Sequence, residues 1–134
     1  MKRKWISLIF ILGSCIFFAC EKEKTDRSES IIGFWELRTE YNGWGGATGY
    51  PQGNGREIHF SASGYQMFSN GQLQKSGSYA LVKDSFYIRG NTVQRIIYDH
   101  QDNSVRIFVE VSRDTLSLTV DAYDGPSVSY IRLQ

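Results

Sequence analysis

The chain has 134 residues, of which 41% are hydrophobic, so it is long enough for one domain with a substantial core. Its 15 basic and 14 acidic side chains give a formal net charge of +1; residues 1–19 hold three basic residues and no acidic one, so without them the balance is 12 against 14, or −2. A surface this close to neutral offers no electrostatic basis for binding nucleic acid.

The first nineteen residues have the pattern of a cleaved targeting signal. The basic start "MKRK" precedes the apolar run "WISLIFILGSCIFF", which is shorter than the roughly 20 residues that a membrane-spanning helix needs. Ala19 and Cys20 follow, and "FFAC" before the charged "EKEKTD" resembles the lipobox of bacterial lipoproteins, in which the cysteine becomes the first residue and is acylated. The alternatives are cleavage before Cys15, at "LGSC", and an ordinary secretory signal. Cys20 is preferred because the apolar character ends there.

Acylation of Cys20 would hold the protein at the outer membrane of a bacterial cell envelope, in the periplasm or at the surface, by its lipid alone. Buried acyl chains contribute about 0.8 kcal/mol per CH₂, so several chains anchor a protein firmly without a protein span. Both cysteines lie in this leader, which leaves the rest of the chain without a disulfide framework, a cysteine-based metal site or a thiol nucleophile. Residues 20–30 should form a disordered tether, because "EKEKTDRSES" has no apolar side chain to bury.

From residue 31 to residue 134 apolar and polar residues alternate with a period of two, the spacing of half-buried strands. In "IIGFWELRTEY" every second residue from Trp35 to Tyr41 is uncharged, with charged residues between them. The segment "SGYQMFSNGQLQKSGSYALV" predicts two strands joined at Asn70-Gly71, a strong hairpin signal. Further strands are predicted in "REIHFSA", "DSFYIRG", "TVQRIIYDH", "SVRIFVEVS", "DTLSLTVDA" and "SVSYIRLQ".

This series of short strands predicts an all-β fold, either a meander barrel or a sandwich. An antiparallel up-and-down β-barrel of about eight strands is favoured, because closure removes exposed edges and no strand is rich in the Lys or Pro that protect an edge. The expected inward side chains are bulky enough to fill an eight-stranded barrel, or to leave only a small cavity. They are Leu37, Tyr41, Ile58, Phe60, Met67, Tyr79, Leu81, Phe86, Ile88, Ile107, Val109, Leu116, Leu118 and Tyr130.

Short motifs at the two ends of residues 31–133 carry a family resemblance. "GFW" at the start of the first strand is similar to the Gly-x-Trp signature of lipocalins, and "YIRL" stands where lipocalin-like barrels have an arginine that packs over that tryptophan. With "DTLSLT" before the last strand, the chain resembles the small lipocalin-like lipoproteins of Bacteroidetes. The resemblance implies that Trp35 plugs one end of the barrel, that Gly33 allows a tight entry into the strand, and that Arg132 stacks on the indole.

The stretch "YNGWGGATGYPQGNG", residues 41–55, contains six glycines and three aromatic residues. In a lipocalin-like barrel this first connection is long and folds over the open mouth. Tyr41, Trp44 and Tyr50 are therefore candidates for stacking on an apolar ligand or a sugar ring. The alternative is that Trp44 and Tyr50 fold down and cap the core, since buried aromatic side chains are common.

The sequence gives no positive sign of catalysis. The two histidines, His59 and His100, lie on different segments, and no G-x-S-x-G, H-E-x-x-H or EF-hand pattern is present. The sequence leaves open whether Asp99, His100 and Asp102, or Asp121 and Asp124, bind a metal, although turn chemistry explains these acids more simply.

Two classes of function remain, and neither is an enzyme or needs a cofactor. One is a lipid-anchored, monomeric binding module that holds a small apolar molecule or a glycan under the loop of residues 42–55. The other is a structural or interaction protein with a filled barrel, whose outer face docks another envelope protein. A cavity of about 300–1,000 Å³ would favour the first class.

Overall fold

The computed structural model describes residues 30–85, 90, 92–103 and 105–134. The expected signal peptide, the lipidation site Cys20 and most of the tether lie outside the described residues. So do Phe86 and Ile88 of the expected inward set. Nothing in the fold therefore bears on those predictions.

The described residues form strands joined by turns and contain no helix. The strands are β1 (Gly33–Tyr41), β2 (Ala47–Gly49), β3 (Arg56–Phe60), β4 (Gly64–Ser69), β5 (Gln72–Ser85), β6 (Thr92–Tyr98), β7 (Ile107–Ser112), β8 (Thr115–Val120) and β9 (Ser127–Arg132). All neighbours pair antiparallel, and β9 pairs with β1, which closes the sheet. Because β2 and β3 share one edge of β1, the nine strands make an eight-stranded barrel. The predicted up-and-down barrel, consistent with a lipocalin-like one, is confirmed.

The glycine-rich first connection is not one loop over the mouth of the barrel. Its β2 segment pairs with the far half of β1, and β3 then pairs with the near half. Residues 50–55 leave the ladder between them, and the side chain of Asn54 fills the gap. Its Nδ2 donates to the carbonyl of Leu37 at 2.8 Å, and its Oδ1 accepts from the amide of Arg56 at 2.9 Å.

A β-bulge in β1 overturns the prediction that Tyr41 points inward. Leu37 pairs with Tyr130, but the next pair along the strands is Thr39 with Ser129, so Arg38 is an extra residue. One extra residue exchanges the two faces of the strand beyond it. As a result Glu40 faces inward, and the Tyr41 side chain is 41% exposed on the outside.

The core lies inside the barrel and contains most of the described side chains that the alternation predicts. Leu37, Ile58, Phe60, Val109, Leu116 and Leu118 are buried. Met67, Tyr79, Leu81, Ile107 and Tyr130 are partly buried and pack against the core. The alternation did not single out four further buried apolar side chains, those of Ile31, Tyr65, Ile96 and Phe108.

Trp35 and Arg132 close one end of the barrel, which we call the closed end. The indole is fully buried, and its Nε1 donates to the carbonyl of Ile31 at 2.7 Å. The guanidinium carbon of Arg132 lies 4.0 Å from the indole centre, and the guanidinium donates to the carbonyls of Ser30 and Ile32 at 2.8 and 2.9 Å. Two side chains thus hold three successive carbonyls, and the chain crosses the closed end as a strap over the core.

Gly33 has a physical reason to be a glycine. Its φ of +145° is a conformation that L side chains rarely adopt, and an added Cβ would lie 2.7 Å from Nη1 of Arg132. The burial of Trp35 and the stacking of Arg132 on its indole, which the resemblance implies, are both present at the closed end.

Candidate functional site

The β1–β2, β4–β5, β6–β7 and β8–β9 connections lie at the end of the barrel opposite the closed end, because successive strands run in alternating directions. We call this the loop end. Barrels commonly carry their binding groups on such loops, since the strands fix the loops in place. The loop end has an inner rim of charged and phenolic groups and outer loops with exposed aromatic side chains.

Glu40, Tyr50 and Arg56 form a rim cluster at the inner edge of the loop end. The Arg56 guanidinium donates to both carboxylate oxygens of Glu40, at 2.8 and 3.3 Å. The Tyr50 hydroxyl donates to the same carboxylate, and the guanidinium carbon lies 4.7 Å from the Tyr50 ring centre. The strand pairing explains why the side chains of Glu40 and Tyr50 are in contact. Glu40 pairs directly with Thr48, and Tyr50 follows Thr48 by two residues on the same face. Arg56 precedes the inward Ile58 by two residues.

The contacts within the rim cluster fix its charge state. The hydrogen bond from Tyr50 lowers the pKa of Glu40, and Arg56 lowers it further, although burial acts in the opposite direction. The same hydrogen bond raises the pKa of Tyr50, because its proton is shared with an anion. Glu40 is therefore ionised at neutral pH. A general base that works at neutral pH needs a raised pKa, which is the reverse of what Glu40 has.

Two tyrosine side chains, those of Tyr130 and Tyr98, add phenol groups to the inside of the barrel. Tyr130 follows Val128, the partner of Glu40, by two residues on β9, and burial raises the pKa of Tyr130 to about 12. Burial also raises the pKa of Tyr98, whose ring packs edge-on against that of Tyr65 with centroids 4.7 Å apart. The Tyr98 hydroxyl is buried and has no hydrogen-bond partner among the described residues. The interior thus presents phenol groups as well as apolar surface.

Two loops at the outer edge of the loop end carry exposed aromatic side chains. Trp44 lies at the tip of the β1–β2 hairpin with 92% of its side chain exposed, and Tyr123 lies in the β8–β9 loop with 91% exposed. The loops touch, because a Cβ added to Gly43 would lie 2.5 Å from the main-chain oxygen of Asp124. The two aromatic residues are thus sequence neighbours of one loop-to-loop contact.

The three predicted ligand-binding residues divide between these two features. Tyr50 belongs to the rim cluster, whereas Tyr41 and Trp44 are exposed on the outside. The exposure of Trp44 contradicts the alternative in which it caps the core. The sequence analysis missed Tyr123. It considered Asp121 and Asp124 of the same turn as possible metal ligands, but not the aromatic residue between them.

The first group of possible metal ligands is engaged by protein donors. Asp99 accepts from the Tyr65 hydroxyl at 2.9 Å and from the Ser78 amide at 3.1 Å, and Nζ of Lys75 lies 3.4 Å away. The Tyr65 hydrogen bond, with those of Lys75 and Ser78, lowers the pKa of Asp99. Nδ1 of His100 lies 3.4 Å from the Ser78 hydroxyl. These contacts describe a turn fixed by hydrogen bonds.

Asp102 and Asp121 belong to an ion-pair network on the outer face. Arg95 lies 2.7 Å from Asp102 and 2.8 Å from Asp84. Arg106 lies 2.8 Å from the same Asp84 and 3.0 Å from Asp121. Over the described ranges, no three His, Cys, Asp or Glu side chains come together in a way that could hold a metal ion.

No family model, curated protein or solved structure matches the chain. In the part of the chain that the structure describes, no helix has the length and apolar character to cross a membrane. The case for a function therefore depends on the loop end itself.

Proposed function

We propose that the protein is a lipid-anchored lipoprotein of the bacterial outer membrane, and that its barrel is a non-catalytic, monomeric module that binds a small apolar molecule or a glycan at the loop end. The proposed binding groups are Tyr41, Trp44 and Tyr50. The proposed anchor is an acylated Cys20.

The exposure of Trp44 is the observation that carries this proposal. A tryptophan with 92% of its side chain in water forgoes the burial that stabilises most aromatic residues. Binding residues are disproportionately found on loops that a rigid scaffold positions. The rim cluster and the phenols of Tyr98 and Tyr130 add polar groups to this part of the barrel, and a ligand site usually combines polar groups with apolar surface.

The position of the strap agrees with an anchor that precedes it. Residues 30–32 cross the closed end, where Arg132 and Trp35 hold them. A lipid attached to Cys20 would reach the barrel from this side. The loop end would then face away from the membrane and be accessible to a ligand.

Native mass spectrometry of the full-length protein, extracted from membranes in detergent, tests the binding function. We expect a bound small molecule or glycan that accompanies the wild-type chain, and about tenfold weaker retention after Trp44→Ala, because truncating a contact aromatic commonly costs more than 1 kcal/mol of binding. Phe34→Ala is the matched control, since Phe34 is 57% exposed at the closed end. A protein without bound molecules, or equal retention in the wild type and Trp44→Ala, would contradict the proposal.

A second function is favoured by the outer wall that runs from the closed end across β3 and β4 to the start of β5. Ile32, Phe34 and Leu73 are exposed by 47%, 57% and 52%. The His59 ring links this apolar surface, because its centre lies 4.5 Å from that of Phe34 and 4.5 Å from that of Phe68. This surface would suit a filled barrel that docks another envelope protein. Cross-linking that is lost in Phe34→Ala and kept in Trp44→Ala would support it.

A further inference from the structure

The β1–β2 hairpin and the β8–β9 loop meet in one fixed junction. Gly43 is buried between them, and an added Cβ would lie 2.5 Å from the main-chain oxygen of Asp124. Its φ of +77° is also a conformation that favours glycine. Trp44 and Tyr123 each adjoin one side of this contact in sequence, so the junction brings the backbones that carry the two aromatic side chains together.

The exposure of the two rings indicates which ligands they suit. An apolar small molecule binds in a concave site that buries about 70–90% of its surface. Trp44 and Tyr123 are exposed by 92% and 91%, so they cannot enclose such a molecule. A sugar ring can lay its C–H face on an aromatic ring while its hydroxyl groups stay in water. Rigid aromatic side chains also lose little conformational entropy on binding.

The charged residues near the two rings restrict the class of ligand further. Residues 41–49 and 121–127 contain no Lys or Arg. The carboxylate of Asp121 is paired with Arg106 at 3.0 Å, whereas Asp124 is exposed. An anionic lipid, nucleic acid or acidic polysaccharide would therefore meet a carboxylate and no cation in these segments. The exposed Asn42 and Asp124 offer the amide and carboxylate groups that hydrogen-bond sugar hydroxyls.

We propose that Trp44 and Tyr123 form a stacking platform for a pyranose ring of a neutral glycan, with Asn42 and Asp124 as its hydrogen-bonding groups. This inference rests on the proposed function. It selects a glycan over a small apolar molecule, and it adds three residues to the site.

An array of immobilised neutral and anionic oligosaccharides, probed with the full-length protein in detergent, tests the platform. We expect binding to at least one neutral glycan and to no anionic one. Trp44→Ala and Tyr123→Ala should each weaken that binding about tenfold. Removing an aromatic side chain that stacks on a nucleic-acid base has an effect of this size. Tyr123→Phe keeps the ring and should bind within about twofold of the wild type.

Val105→Ala is the control for both substitutions and should leave glycan binding unchanged, because Val105 is 63% exposed and belongs to neither proposed binding surface. Melting temperatures of all variants should match the wild type closely, because both rings lie outside the core. The platform is wrong if no neutral glycan binds, if anionic glycans or phosphatidylglycerol vesicles bind in preference, or if Tyr123→Ala binds as well as the wild type.

Failure of the platform and failure of the proposed function are distinguishable. If neutral glycans do not bind but native mass spectrometry finds an apolar molecule whose retention falls in Trp44→Ala, the platform is wrong and the binding module stands. If neither type of ligand is found, both are wrong.

Discussion

Trp35 and Trp44 are the same residue type in opposite surroundings, and substitution should separate their roles. Trp35 is fully buried and stacked under Arg132, whereas Trp44 is 92% exposed. Trp35→Ala should lower the free energy of unfolding by about 3–5 kcal/mol, as large aromatic truncations in cores do. Trp44→Ala should change it by less than about 1 kcal/mol. Chemical denaturation measures both, and similar losses in the two variants would contradict this assignment.

Glu40 should make the stability depend on pH. Its pKa in the fold lies below the ordinary value of 4.5, because Tyr50 and Arg56 hold the ionised form. The ionised carboxylate therefore stabilises the fold above about pH 4.5, and this contribution is lost as the pH falls through the lowered pKa.

The measurement is chemical denaturation at several pH values between 7 and about 3 for the wild type and for Glu40→Gln. Asp84 and Asp99 also have lowered pKa values, so the wild type should lose stability in acid for several reasons. Glu40→Gln should be less stable than the wild type at pH 7 and should lose less on acidification. If the free energy of unfolding falls equally with pH in the two proteins, ionisation of Glu40 contributes nothing to the stability of the fold.

At the scale of the strands, the side chain of Asn54 takes the place of main-chain partners where the chain leaves the ladder. It donates to the carbonyls of Leu37 and Pro51 and accepts from the amide of Arg56. Asn54→Ala should cost about 2 kcal/mol, because polar main-chain groups lose their partners. Gln52→Ala, at an exposed position of the same excursion, is the control and should be nearly neutral. Denaturation tests both, and faster amide exchange at Arg56 in the Asn54 variant would locate the effect.

The sequence predicted most of the strands and the closed end, because their signals are local. It missed β2, and it assigned Asp84 and Ser85 to a separate strand although they end β5. Alternation identifies which residues of a regular strand share a face, and Asn70-Gly71 marks its hairpin. The error at Tyr41 has a specific cause: nothing in "WELRTEY" distinguishes a strand with a bulge at Arg38 from a regular one. That bulge depends on β9, which pairs with β1 from the other end of the chain.

The candidate site was predicted only in part, because exposure is a property of the assembled barrel. The sequence singled out Trp44 from its glycine-rich surroundings but could not show whether it points into or out of the barrel. Tyr123 entered the site only through the contact between Gly43 and Asp124, which are 81 residues apart in sequence. The rim cluster was missed for the same reason, since Glu40 faces inward only beyond the bulge.

At the scale of the whole molecule, each end of the barrel has a distinct chemical character. The closed end ties the first and last segments of the barrel together through Arg132, which bonds to Ser30 and Ile32 across about a hundred residues of sequence. The loop end carries the exposed aromatic side chains and the rim cluster. Stability and binding should therefore be separable by substitution, with the largest losses of stability at the closed end.

If the chain is anchored through Cys20, the strap would join the anchor to the closed end. The loop end would then be accessible to a ligand. We expect mass spectrometry of the membrane-extracted protein to find a chain that begins at an acylated Cys20. Cys20→Ser should abolish acylation and move the protein out of the membrane fraction, since acyl chains supply the binding energy. Cys15→Ser is the matched control and should be acylated like the wild type. An acyl group on Cys15, or a free thiol at Cys20, would contradict the anchor and the orientation that follows from it.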